Sequence, residues 1–191
     1  MKLLTFLGAT QLGETTYRLS SEQTHRATAC GIAIARFFPD LSARVFVTKG
    51  AHDANYKAFA DQIQDYVADL EAVLIADGSD ESQMWEIFQK VVDHVDQGEE
   101  VIFDITHGFR SLPFIAFLAA AYLREVKQAR IHKVFYGNYE ARDRSVVPNV
   151  TSVIDLTRFV SLLDWMKAVS RFNQSGDSRD MATLLEEPTP S

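Results

Sequence analysis

Apolar positions in this chain fall into two kinds of run. Short, mostly apolar ones read as strands: Lys2 to Leu7, Ala43 to Thr48, Leu70 to Ile75, Val101 to Phe103 and Ile131 to Tyr136, of which Val101 to Phe103 is unbroken and reads as buried on both faces. A further stretch, Val146 to Asp155, carries Pro148 and suits an edge or an irregular strand start. Between them the apolar residues return every three or four positions, the period of a helix. One such helix is expected from Ser21-Glu22 through Arg26, Ala29, Ile32, Ala33 and Phe37, stopped by Pro39-Asp40. A second covers Asp53 to Tyr66, through Tyr56, Phe59, Ala60, Ile63 and Tyr66. A third, capped by Ser79 or Asp80, turns Met84, Trp85, Ile87, Phe88, Val91, Val92 and Val95 inward. Phe114 to Tyr122 is apolar nearly all round, as in a buried helix, and Thr157 to Phe172 is amphipathic. Thr15 to Ser20 fits neither pattern, and residues 174–191 read as a polar, frayed tail.

Strands alternating with helices predict an α/β fold with a mainly parallel sheet and helices on both faces. Six strands are expected. Only a short link joins the last two, so that pair must be antiparallel and forms the C-terminal edge. In a strand order of 3-2-1-4 the first and fourth strands are neighbours, and their carboxyl-end loops flank a ligand crevice.

The fourth strand runs into the chain's most polar turn, Asp104-Ile105-Thr106-His107-Gly108-Phe109-Arg110-Ser111. A helix follows, with Ser111 placed as its N-cap and Pro113 in its first turn. Helix starts carry unpaired N–H groups that attract anions. Gly108 lets backbone approach a ligand, and Arg110 can fork onto a phosphate. Thr106, His107 and Ser111 can bond phosphate oxygens or ribose hydroxyls. The first strand's loop, Gly8-Ala9-Thr10-Gln11-Leu12-Gly13, faces the same crevice in this order. Its spacing is neither G-x-G-x-x-G nor a P-loop. Lys49 is either a second ligand cation or a solvent lysine beside Gly50. Asn138 and Tyr139 either reach an adenine edge or ribose, or form a plain turn.

Composition narrows the ligand. With 191 residues, about half of them apolar, the chain can bury one sizeable core. A formal charge of −7 argues against long nucleic acid, which needs a basic stripe. A small anion in a focused crevice stays compatible. No apolar run approaches the roughly 20 residues that span a bilayer, and Met1-Lys2-Leu3-Leu4 is not a signal peptide, so no membrane partner is expected. The single Cys30, expected inside a helix, fits a reducing cytoplasm.

The run Asp104 to Ser111 resembles the D-x-T-H-G signature of CRISPR-associated proteins of the DxTHG, or Csx1/Csx2-like, type. Phe6-Leu7-Gly8, Val134-Phe135-Tyr136-Gly137 and Asp155-Leu156-Thr157 resemble that family too, and the likeness covers most of residues 1–172. Its members carry a CARF domain, a Rossmann-like module that binds cyclic oligoadenylate made by type III CRISPR complexes. The resemblance implies a CARF domain over 1–155, a C-terminal amphipathic helix over 156–173, and, over 174–191, a tail or the start of an effector domain. Family members commonly continue into a HEPN ribonuclease; here the Arg-x6-His spacing occurs at Arg18 and His25, far from where one would begin.

By the same resemblance the protein is a homodimer with the ring on its two-fold axis, four adenylates being the commonest ring and six an alternative. Gly8, Ala9, Thr10, Gln11, Lys49, Thr106, His107, Gly108, Phe109, Arg110, Ser111 and Asn138 are then the ligand-binding set. Adenines would enter side pockets with Tyr17 or Tyr139 as stacking partners. No metal and no cofactor is implied. Two roles stay open for the loop: a sensor that only binds, or a ring nuclease in which a ribose 2′-OH attacks the adjacent phosphate without metal. In the second, His107 is the acid or base, Thr10 or Gln11 aligns the hydroxyl, and Arg110 steadies the charge. Asp104 reads as a loop brace. An unrelated nucleotide enzyme of similar fold is the remaining alternative.

Overall fold

The structure, a computed structural model, describes residues 1–11 and 13–186. Leu12 of the first loop and the Glu-Pro-rich end of the expected tail lie outside the described residues. The chain divides into two units, residues 1–156 and the stretch from Thr157 onward.

The first unit is built on one sheet of eight strands. They are β1 (Lys2–Leu7), β2 (Thr15–Arg18), β3 (Thr24–Ala27), β4 (Leu41–Val47), β5 (Val67–Leu74), β6 (Glu100–Asp104), β7 (Arg130–Gly137) and β8 (Val150–Asp155). Their order is β3-β2-β8-β7-β6-β1-β4-β5. All six residues of β1 are buried, Lys2 and Thr5 among them, and it pairs in parallel with both β4 and β6. The first and fourth expected strands are therefore neighbours. β7 and β8 are antiparallel, as their short link requires.

Four helices complete this unit: α1 (Cys30–Phe37), α2 (49–66), α3 (Glu81–Asp93) and α4 (Leu112–Val126). Side chains alternate along β1. Leu3 and Leu7 join Ile32 of α1 with Phe59 and Ile63 of α2 in one core. Leu4 and Phe6 point to the opposite face. There Phe46 meets His94 just past α3, and Phe88 of α3 meets Tyr122 of α4 edge-on at 5.6 Å. α2 is wound unevenly: α-helix over Lys49–Ala51, a π turn over His52–Tyr56, and α-helix again over Lys57–Ile63.

Three expectations need correction. The sheet has eight strands, not six, because Thr15–Arg18, which fitted neither pattern, and Thr24–Ala27, the first part of the expected helix, form a hairpin; the helix itself begins only at Cys30. Thr15, Thr16 and Tyr17 pair with Ala27, Arg26 and His25. The Ser20 hydroxyl accepts from the N–H groups of Glu22 and Gln23 and closes the hairpin turn. Next, β8 is no edge: β2 lies parallel to it, and β3 takes the edge position. The last strand also begins at Val150, after turns around Pro148.

The second unit holds α5 (Thr157–Ser175) and α6 (Arg179–Glu186). α6 stands where a polar tail was expected. Composition hid a helical period at Met181, Leu184 and Leu185, and an Arg171–Asp180 ion pair of 2.7 Å joins the two helices. No described helix is long and apolar enough to cross a membrane.

Candidate functional site

Parallel strands leave their carboxyl ends on one side of the sheet. The loops following β1, β4, β5 and β6 meet there around a cavity of about 300 Å³. Gly8, Ala9 and Thr10 line one wall; Thr48, Ile75 and Asp77 a second; Gly108, Phe109 and Leu112 a third; Phe6, Leu7 and Phe46 the floor. Of the expected ligand set, Gly8, Ala9, Thr10, Gly108 and Phe109 come together here.

The loop after β6 divides into two parts. Its first part turns inward. The Asp104 carboxylate is fully buried and accepts from the Thr5 hydroxyl at 2.7 Å and the Thr106 N–H at 3.1 Å. The Thr106 hydroxyl oxygen accepts the Gly137 N–H at 2.7 Å, tying the loop to the end of β7. His107 is buried at the start of α1. The Cys30 N–H donates to its Nε2 at 3.3 Å, and the Tyr17 hydroxyl lies 3.3 Å from the same nitrogen. Nε2 is thus the acceptor, which assigns the ring proton to Nδ1. No side chain of α1's own flank caps that helix, so His107 supplies the missing acceptor. Burial holds the His107 pKa below its ordinary value, against a smaller opposing pull from Asp104. Burial first, and then Asp104, raise the Cys30 thiol, while burial and then Cys30 raise the Tyr17 phenol.

The second part turns outward. Gly108 has a φ of +156°, which L side chains rarely adopt, and a Cβ there would come within 2.5 Å of the Leu112 Cδ2 methyl and push it aside. The Phe109 ring lies on Gly78, whose φ of +68° and missing Cβ both suit glycine. Arg110 is exposed and pairs with no carboxylate among the described residues. Nor does any described residue accept from the N–H groups of Gly108, Phe109, Arg110 or Ser111. Ser111 was expected to cap α4 through its hydroxyl. It is itself helical in φ and ψ and makes no capping bond.

The remaining expected residues lie outside the cavity lining. Gln11 and Lys49 are exposed beside it. Asn138 continues the β7–β8 ladder, its N–H donating to the Ser152 carbonyl at 2.9 Å. Tyr17 cannot be a stacking shelf, because it is fully buried. The Tyr139 ring has the Arg142 guanidinium over one face at 4.1 Å, while its hydroxyl donates to the Gly13 carbonyl at 3.4 Å.

Two residues escaped the sequence reading. Asn55, on the π turn of α2, donates to the carbonyls of Gly8 at 2.8 Å and Thr10 at 3.1 Å, holding the first loop in shape. π turns recur at functional sites, yet a lone Asn in a helical pattern announces none. Asp77 lines the cavity from a loop that composition describes only as a turn.

Comparison with known proteins matches residues 2–142 to the family model described as the CARF domain of the CRISPR system endoribonuclease Csx1. The chain is also 28% identical, over 117 residues, to the CRISPR-associated protein MJ1674 of Methanocaldococcus jannaschii. That match takes in 59% of this chain and 18% of the relative, so the chain spans less than a fifth of that protein's length.

Proposed function

The chain belongs to the Csx1 CARF-domain family, and on that premise we propose that it is a sensor that binds cyclic oligoadenylate, most simply the tetra-adenylate ring, between two copies of itself. The observation that carries this reading is the outward part of the β6 loop. An Arg110 without a carboxylate partner and four N–H groups without an acceptor among the described residues stand together at a helix start, a donor set suited to phosphate. A four-phosphate ring would meet two copies of Arg110. The N–H groups of 108–111 would serve the charge left over.

The second copy has a surface to dock on. Phe114, Leu118, Tyr122 and Val126 are all exposed and four residues apart, so they form one stripe along α4. It begins four residues after Arg110. Trp85 of the neighbouring α3 is exposed as well. Apolar patches of this kind mark association surfaces, and pairing about a dyad would bring two Arg110 loops to one ring.

Binding is favoured over cleavage by the state of His107. A buried neutral ring whose lone pair takes a helix N–H is poorly placed to accept a ribose proton. Incubation with cyclic tetra-adenylate in EDTA, read by calorimetry and product separation, tests this. Tight binding with an intact ring is expected. Linear products would restore the nuclease reading, and no affinity for any cyclic oligoadenylate would remove both.

A further inference from the structure

We propose that Asp77 reads the adenine base, accepting a hydrogen bond from its exocyclic amino group, with Thr48 as the donor that orients the ring. This rests on the cyclic-oligoadenylate reading above and assigns a recognition residue within it. The cavity of about 300 Å³ is at the small end for ligand sites, the size for a base rather than a whole ring. The Phe6 and Phe46 rings are buried beneath it, stacked on each other with centroids 5.1 Å apart, and the half-buried Phe109 ring stands at the side. Phe109 is the aromatic surface open to a base.

Charge then decides which part of the ligand enters. Among the described residues no Lys or Arg lines the cavity, and the charged side chain in its lining is Asp77. A phosphate there would meet a like charge. The phosphates belong outside with Arg110, and the base within. The polar groups of the cavity are also sorted by role. An ionised carboxylate only accepts. The Thr48 oxygen already accepts the Ala51 N–H at 3.2 Å, leaving its own proton to donate. The two residues follow neighbouring strands, joined where the Ile75 N–H donates to the Val47 carbonyl. An acceptor beside a donor complements a base edge with an amino group next to a ring nitrogen, as adenine has.

The test is a thermodynamic cycle with two rings, cyclic tetra-adenylate and its analogue with every 6-amino group replaced by hydrogen. Binding of each to the wild-type protein and to Asp77→Ala is measured by calorimetry, with a thermal melt to establish that the variant folds. Wild-type protein is expected to bind the amino-free ring at least tenfold more weakly. Asp77→Ala should bind both rings alike, at about the weaker affinity. Equal affinity of wild type and variant for the adenylate ring overturns this inference and leaves the parent reading standing. So does undiminished discrimination by the variant. Failure of the wild type to bind the adenylate ring removes the parent reading and this inference with it.

Discussion

Residues 104–107 and residues 108–111 are consecutive parts of one loop, yet they live in different solvents. Asp104 and His107 are buried, and with Thr106 they bond to Thr5, Gly137 and Cys30 on three other elements. Gly108 and Arg110 are exposed, and their donors have no partner among the described residues. The comparison separates two meanings of a signature. The first part is recognisable because it fixes the backbone, and the second because that fixed backbone presents something. A buried polar group must be satisfied at a cost of about 1–3 kcal/mol if it is not. The same group in water costs almost nothing to leave free, and that freedom is what a ligand uses.

The contrast can be broken most severely from within. Asp104→Ala leaves the Thr5 hydroxyl and the Thr106 N–H without their acceptor, and should cost roughly 3 kcal/mol of unfolding free energy by urea titration. A cost under about 0.5 kcal/mol would show the brace to be dispensable. Arg110→Ala should leave the urea midpoint unchanged and weaken cyclic tetra-adenylate at least tenfold by calorimetry. Unchanged affinity would put the ligand cation elsewhere.

The pH response sharpens the line between the halves. A histidine whose folded pKa lies below its ordinary 6.5 binds fewer protons folded than unfolded once the pH drops past that value. Stability is therefore full above about pH 6.5 and is lost as the pH falls toward the folded pKa, by up to about 1.4 kcal/mol per unit. His25 is lowered too, by burial and then Arg36, and contributes the same sign. Comparing wild type with His107→Gln between pH 7.5 and 5.5 isolates the loop, and the variant should show the shallower fall. Identical slopes would mean that His107 titrates as if unfolded. The smallest effect is expected at Lys49→Ala, under threefold in ring affinity, since its exposed ammonium is largely screened.

Much of this frame was legible because burial writes itself into runs. β1, β4 and β6 are mostly apolar strings, and the β1–β6 adjacency followed from the alternation with helices. The signature located the cavity's third wall. Less visible was anything carried by one residue or by geometry. Ser21-Glu22 can open a helix or lie in a hairpin turn, and here the hairpin is paired within itself and along β8, the second a contact between segments far apart in sequence. Whether His107 points in or out depends on α1 arriving with an uncapped N–H, a contact made 77 positions away in sequence. Asn55 and Asp77 stand alone in their patterns, so nothing marked them before the loops were brought together.

The stripe on α4 has a mechanical side. A helix of 15 residues is a rod of about 22 Å, stiffened by its own ladder of bonds. Leu112, at one end, shares a wall of the cavity, and Val126 closes the exposed row at the other. In the proposed dimer, an occupant of the small chamber and a neighbouring copy seated on the exposed row would therefore both press on this one rod.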